Sequence, residues 1–408
     1  MDIKCIRCKG SGMCGRSYCP HIMRSDAIFK VIQDMPSKDL SGPSPAPFVG
    51  RYGYPDVNVG LLSPVKPEQP AEIYDAPRVW AGRSFSIPQI VDLRSALVNS
   101  RFKANIRQKS SMLDISQEVG IAKRPVDVEM VLKDRPRFRL NTSAISAPMG
   151  PNAALEKARI TENASVHTAV QKVVDDTDMN ATQGLAYLYK KDFDENFLTR
   201  AFSVGSFGIG RNRKLVPTRW SITAVDDTLG KDLHKRILDH SHVGEHLSFF
   251  GSYLGNYYLV LMIPDCWGYE LFETYMPKAS WNTSERIDYM TDSEGYSGRK
   301  GYAYNCAGGY YSVRLAVLER LAQMRRQASC FVIRVITGEY SAPLGVWVTR
   351  QAARKALEEK PLKFASLDLM LHYVSILIKR KFGFDPSLLT SKSVLLKNIR
   401  TQRKLFDF

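Results

Sequence analysis

Four cysteines crowded into the first 19 residues, Cys5-x2-Cys8-x5-Cys14-x4-Cys19, constrain this chain more than any other feature. The span is too short to bury an apolar core, so a bound ion has to be what folds it. Gly10, Gly12 and Gly15 supply turns that let the sulfurs converge. Four thiolates about 2.3 Å from a tetrahedral Zn²⁺ suit such spacing and leave no open position for catalysis. Residues 1–24 are therefore expected to form a small structural zinc knuckle on Cys5, Cys8, Cys14 and Cys19. An iron–sulfur cluster is the other occupant to weigh, because Cys19-Pro20 matches the cysteine-proline that closes some cluster-binding runs. The gaps after the first pair depart from ferredoxin spacing, which favours zinc. His21 offers a substitute ligand that a four-cysteine set does not need.

The rest of the chain is long enough for a substantial core: 408 residues, 44% of them apolar, suggest two to three domains. Lysine and arginine number 57 against 41 acidic residues, a formal charge of +16. A surplus of this size points to a polyanionic partner, and DNA leads the list. The most apolar stretches, Tyr257–Ile263 and Leu369–Ile378, fall well short of the ~20 residues that cross a bilayer. No membrane partner is expected. The opening MDIKCIRCKG carries charges and cysteines where a signal peptide has its apolar core, so a cytoplasmic location is expected. Thiols in a reducing compartment favour a metal site over disulfides.

The chain carries no repeat, heptad run or low-complexity tract. Ser41-Gly42-Pro43-Ser44-Pro45-Ala46-Pro47 and the following Phe48–Pro55 read as an ordered loop or linker, with globular structure from about Trp80. Ser86 is a plausible N-cap for a helix through Ile90, Leu93 and Leu97. Val216–Val225, Tyr257–Ile263 and Cys330–Thr337 are rich in β-branched and aromatic residues and read as buried strands. Val313–Gln327, Arg350–Glu359 and Leu367–Phe382 read as helices, the last ending in cations suited to a helix C-terminus. Strands and helices do not alternate regularly, so the expectation is α+β: a mixed-sheet body with packed helices. Its divisions are the knuckle at 1–24, a main domain over 25–300, a helix-rich region over 301–396 and a mobile tail over 397–408.

In the last seven residues Gln402, Leu405 and Phe408 stand three apart. A 3₁₀-helix has three residues per turn, so the three align on one face that can plug an apolar pocket. The pattern resembles the PCNA-interacting peptide by which replication and repair proteins hold the sliding clamp, with the second terminal aromatic missing. Terminal segments are free to be captured. The alternative is that Leu405, Phe406 and Phe408 fold back on the chain's own core.

With both ends in view, the chain resembles the archaeal Nre family of DNA repair proteins. The residues that carry the resemblance are the four-cysteine finger, Ser41–Pro45, Phe48–Pro55, Leu215-Val216-Pro217-Thr218-Arg219-Trp220-Ser221-Ile222-Thr223 and the terminal peptide. The resemblance implies a role in DNA damage repair and binding to PCNA. It implies no catalytic mechanism.

Walker A, HExxH and GxSxG motifs are missing from the sequence, so the ATPase, zincin and α/β-hydrolase templates lack their required arrangements. Gly205–Lys214 joins glycine flexibility to Arg211, Arg213 and Lys214, the makings of a phosphate-holding loop or simply of a turn. Arg51, Tyr52 and Tyr54 place a cation beside two rings suited to base stacking. These six residues are the expected DNA contacts. Asn305–Tyr311 reads as an ordinary glycine-rich helix entry. Two sets bear on the rival reading, a DNA-processing enzyme: His240, His242, His246 and Glu245, and the adjacent carboxylates Asp226 and Asp227 placed at a strand end as a possible Mg²⁺ seat.

Overall fold

Proline crowds the first strands of the body. The computed structural model describes residues 7–8, 11, 13, 19–35, 38–138, 147–277, 279, 281–282 and 284–401. Within them the Pro-rich segment is already sheet: β1 (Asp39–Ser44) and β2 (Ala46–Val49). This corrects the expected loop or linker and the expected start near Trp80. The remaining strands here are β3 (Asp56–Pro64), β4 (Leu97–Asn105), β5 (Val126–Leu132) and β6 (Asn152–Ile160). Their order is β1-β5-β6-β4-β3-β2, which puts β1 with Pro43 and β2 with Pro47 at the edges, while Pro64 only closes the inner β3. An edge tolerates a residue that cannot donate to the ladder. Only β4 and β6 run parallel.

Helices α1 (Pro20–Ile32), α2 (Pro77–Gly82), α3 (Ile87–Ser95), α4 (Ser111–Ile121), α5 (Thr168–Asp175), α6 (Ala181–Tyr189) and α7 (Glu195–Ser203) accompany this sheet. The N-cap of α3 is as expected, with Ser86 N–H donating to Gln89 Oε1. Its stripe ends early, however, since Leu97 opens β4. Inward Val126, Val128, Met130 and Leu132 alternate along β5 with outward Asp127, Glu129 and Val131, the pattern of a sheet with one wet face. Arg200 of α7 donates to the carbonyls of Pro45, Gly120 and Ala122, tying the β1–β2 corner to α4.

Helix α8 (Thr218–Ile237) overturns the strand expected over Val216–Val225. Ser221, Val225, Leu229, Leu233 and Ile237 are all buried and recur every fourth residue, which is one face of a helix. The β-branched residues of its first turns mimic a strand when read alone. The two compact units of the chain divide within α8: residues 1–229 with 341–345, and 230–340 with 346–408.

The second unit is built on β7 (His246–Tyr253), β8 (Asn256–Ile263), β9 (Gly268–Tyr275), β10 (Asp288–Glu294), β11 (Ser329–Ile336) and β12 (Leu362–Phe364). Their order is β10-β9-β11-β8-β7-β12, with β9 and β11 parallel. That pairing spans the expected boundary at 300/301. The unit's helices are α9 (Ala307–Met324), α10 (Trp347–Glu358), α11 (Leu367–Phe382), α12 (Ser387–Thr390) and α13 (Val394–Thr401). On one face of the sheet, Leu259, Leu261, Phe272, Phe331 and Ile333 pack on Met370, Val374 and Ile378, which recur every fourth residue along α11. Mixed sheets with helices packed on them make the fold α+β.

The other face, which carries Val260, Met262, Leu271 and Val332, also buries a polar network. Arg334 of β11 donates to Glu273 of β9 (2.5 Å) and, through Nε and Nη2, to Asn256 Oδ1 of β8. Tyr275 donates to the same carboxylate. Glu294 of β10 accepts from Trp267, Tyr310 and Arg314. Asp292 accepts from the Cys306 N–H, and a Cβ on Gly309 would lie 2.2 Å from Glu273 Oε1. Carboxylates therefore occupy the entry of α9, and glycine at 309 is what lets Glu273 approach. This gives the Asn305–Tyr311 entry a packing role.

Candidate nucleic-acid interface

The β2–β3 hairpin is where the expected DNA contacts begin to gather. Gly50 N–H donates to Asn58 O and Asp56 N–H to Gly53 O, closing a tight tip. Arg51, Tyr52 and Tyr54 all sit on this tip and face solvent. The Arg51 guanidinium lies 4.9 Å from the Tyr52 ring centroid and donates to its hydroxyl. Tyr54 packs against Trp220, with centroids 5.2 Å apart and planes tilted by 55°.

Backbone bonds hold three segments together at this end of the first unit. Ile106 N–H donates to Pro55 O, and Leu215 N–H donates to Ile106 O. Val49 N–H donates to Thr218 Oγ1 at the start of α8, and Ser203 Oγ stands 3.1 Å from the same hydroxyl. The hairpin tip, the turn after β4 and the segment entering α8 are thus laced side by side. In the middle segment Asn105 donates to Asp56 and accepts from Arg107 N–H. That turn presents Arg107 and Lys109 to solvent, and the first turn of α8 presents Arg219 and Trp220.

Gly205–Lys214 arrives at the same place through Leu215. Gly205 has φ 76°, and a Cβ there would sit 2.8 Å from the Lys214 carbonyl, so the loop closes on itself only with glycine. Arg211 is exposed and Lys214 partly so. Arg213 differs: it is half-buried and donates to Val174 O in the last turn of α5, an anchor for the loop. Cations and rings so arranged can meet phosphates with the first and bases with the second. Sequence reasoning missed Trp220, Arg219, Arg107 and Lys109. Reading 216–225 as a strand hid the first two, and the last two became visible only through pairing of β4 with β3.

The alternative chemical sites do not assemble. Asp226 and Asp227 lie on a helix and not at a strand end, and adjacent helical residues point about 100° apart. In the second unit Glu245 pairs with Lys363, and His242 Nε2 stands 3.7 Å from Cys266 Sγ. Among the described residues no three His, Cys, Asp or Glu side chains gather as a metal site. Burial pushes the hydroxyls of Tyr269, Tyr275 and Tyr310 and the Cys306 thiol upward, so these groups stay protonated donors at neutral pH. A further exposed tyrosine set, Tyr296, Tyr302 and Tyr304, lies in this unit with Lys300, while Arg299 nearby pairs with Asp292.

Of the four-cysteine set, Cys8 is buried and Cys19 is the N-cap residue of α1; Cys5 and Cys14 lie outside the described residues. Gln402, Leu405 and Phe408 also lie outside them. No described helix is long and apolar enough to cross a membrane.

The family models for the N-terminal and C-terminal parts of archaeal Nre match residues 13–282 and 294–408, so the chain belongs to the archaeal Nre family. Among its relatives is DNA repair protein NreB of Archaeoglobus fulgidus, 33% identical over 404 residues and 99% of each chain. DNA repair protein NreA of the same organism is 36% identical over 386 residues, 93% of this chain and 95% of its own. DNA repair protein NreA of Haloferax volcanii is 38% identical over 325 residues, 78% of this chain and 77% of its own. No solved structure matches.

Proposed function

We propose that this chain is a cytoplasmic DNA repair factor that binds DNA at the β2–β3 tip and is brought to the sliding clamp PCNA by its last seven residues. The repair role follows the names of relatives that match nearly its whole length. The observation that carries DNA binding is the backbone lacing that sets Arg51, Arg107, Arg219, Tyr52, Tyr54 and Trp220 together, on a chain of charge +16. Zn²⁺ on Cys5, Cys8, Cys14 and Cys19 orders the amino end. The buried Cys8, whose carbonyl accepts from Ser11 N–H in a tight turn, is consistent with a knuckle of this kind. Gln402, Leu405 and Phe408 supply the clamp contact. Tethering raises local concentration at the fork, so modest intrinsic DNA affinity suffices.

Ending the chain at Thr401 tests the recruitment half. The full chain is expected to co-elute with an archaeal clamp and to carry about one zinc per chain by metal analysis. The shortened chain is expected to lose the clamp while keeping its DNA affinity and its zinc. Clamp binding unchanged by the truncation overturns the peptide, and purified chain without zinc overturns the knuckle.

A further inference from the structure

We infer that the β2–β3 tip takes the faces of unpaired bases, so that its substrate is single-stranded DNA. This inference rests on the DNA-binding reading above. Tyr52, Tyr54 and Trp220 are 75%, 43% and 44% exposed, three large rings at one point of the surface. Phosphate contact needs cations alone, and a duplex hides its base faces within the stack. Exposed rings interleaved with cations match a strand whose bases are turned outward, because every base has a face to stack and every nucleotide a phosphate to pair.

The geometry says where the bases go. Two rings with centroids 5.2 Å apart leave no slot between them, since a sandwiched base needs about 7 Å, twice the contact distance of flat carbon surfaces. Bases therefore stack on the outer face of Trp220 and on the Tyr52 face away from Arg51. The platform is ordered before the strand arrives: Tyr54 braces Trp220, Arg51 lies on Tyr52, and the Val49–Thr218 bond ties the hairpin to the helix that carries Trp220. Such preorganisation removes much of the ordering cost of binding. Arg219 follows from the same helical turn, and Arg51 and Arg107 stand on the two adjoining segments, so cations flank the rings.

The test measures affinity of the full chain for short oligothymidylate and for a duplex of equal length, by fluorescence anisotropy. The single strand is expected to bind at least tenfold more tightly. The substitutions Tyr52→Ala and Trp220→Ala are expected to lower the ratio of single-strand to duplex affinity about tenfold or more, the usual effect of losing a stacked base. Tyr52 is 75% exposed and Trp220 44%, and neither belongs to the buried core, so neither change empties it. Trp220 is the exposed tryptophan among the described residues, with Trp80, Trp267 and Trp347 buried and Trp281 half-buried. Oligothymidylate should therefore quench the wild-type fluorescence, and Trp220→Phe should remove that quench. Duplex bound as tightly as single strand, or a ratio untouched by either alanine, overturns the inference and leaves DNA binding standing. Failure to bind either nucleic acid overturns the DNA-binding reading itself.

Discussion

Replacing Arg334 with methionine is expected to destabilise the protein by about 3–5 kcal/mol, the usual cost of breaking a buried ion pair from one side. Glu273 would keep its place beneath the entry of α9, 4% exposed, with the Tyr275 hydroxyl too weak a donor to replace a guanidinium. Asn256 would lose the partners of its Oδ1 as well. Burial alone opposes the Arg334 charge, yet Tyr258, Glu273, Tyr275 and Tyr340 around it leave its pKa raised, so the guanidinium stays charged where it is buried. Removing both partners together, as Arg334→Met with Glu273→Gln, is expected to recover a large part of the loss, because no uncompensated charge then remains. Chemical denaturation of wild type, single and double variants checks this. A single variant within 1 kcal/mol of wild type would show that the pair is not buried as described.

Removing three exposed cations from the hairpin end is expected to have the largest effect on binding. Each phosphate contact contributes about 0.7–0.9 to the slope of log affinity against log salt. Arg51→Ala, Arg107→Ala and Arg219→Ala combined should lower that slope by about two to three. Near 0.1 M salt the same arithmetic gives a loss of about a hundredfold in affinity. All three side chains face solvent, so stability should change little. A control removing Lys363, which pairs with Glu245 in the second unit, should leave the slope as it is. Equal slopes for the triple variant and wild type would mean that phosphates are held elsewhere.

Much of the second unit is legible in local pattern. The apolar run Tyr257–Ile263 is β8, Cys330–Thr337 is β11 within a residue, and Leu367–Phe382 is α11 with Ser366 and Gly383 at its ends. Local pattern fails where distant pairing decides. Pro43 and Pro47 look like linker residues until β1 and β2 prove to be sheet edges. Val216–Val225 looks like a strand until the fourfold recurrence is followed on to Ile237. The ionic pair Glu273–Arg334 depends on parallel pairing of β9 with β11, which no local rule supplies. For the candidate site, Arg51, Tyr52 and Tyr54 stand out as a cation among rings in the sequence. Their partner Trp220 is 166 residues away from Tyr54, and only the assembled fold puts the two rings in contact.

Ultraviolet crosslinking of the full chain to thymidine-rich DNA, with the attached peptides mapped by mass spectrometry, tests most directly where DNA is held. The account predicts adducts on Tyr52, Tyr54 or Trp220. Adducts confined to Tyr296, Tyr302 and Tyr304 of the second unit would contradict it.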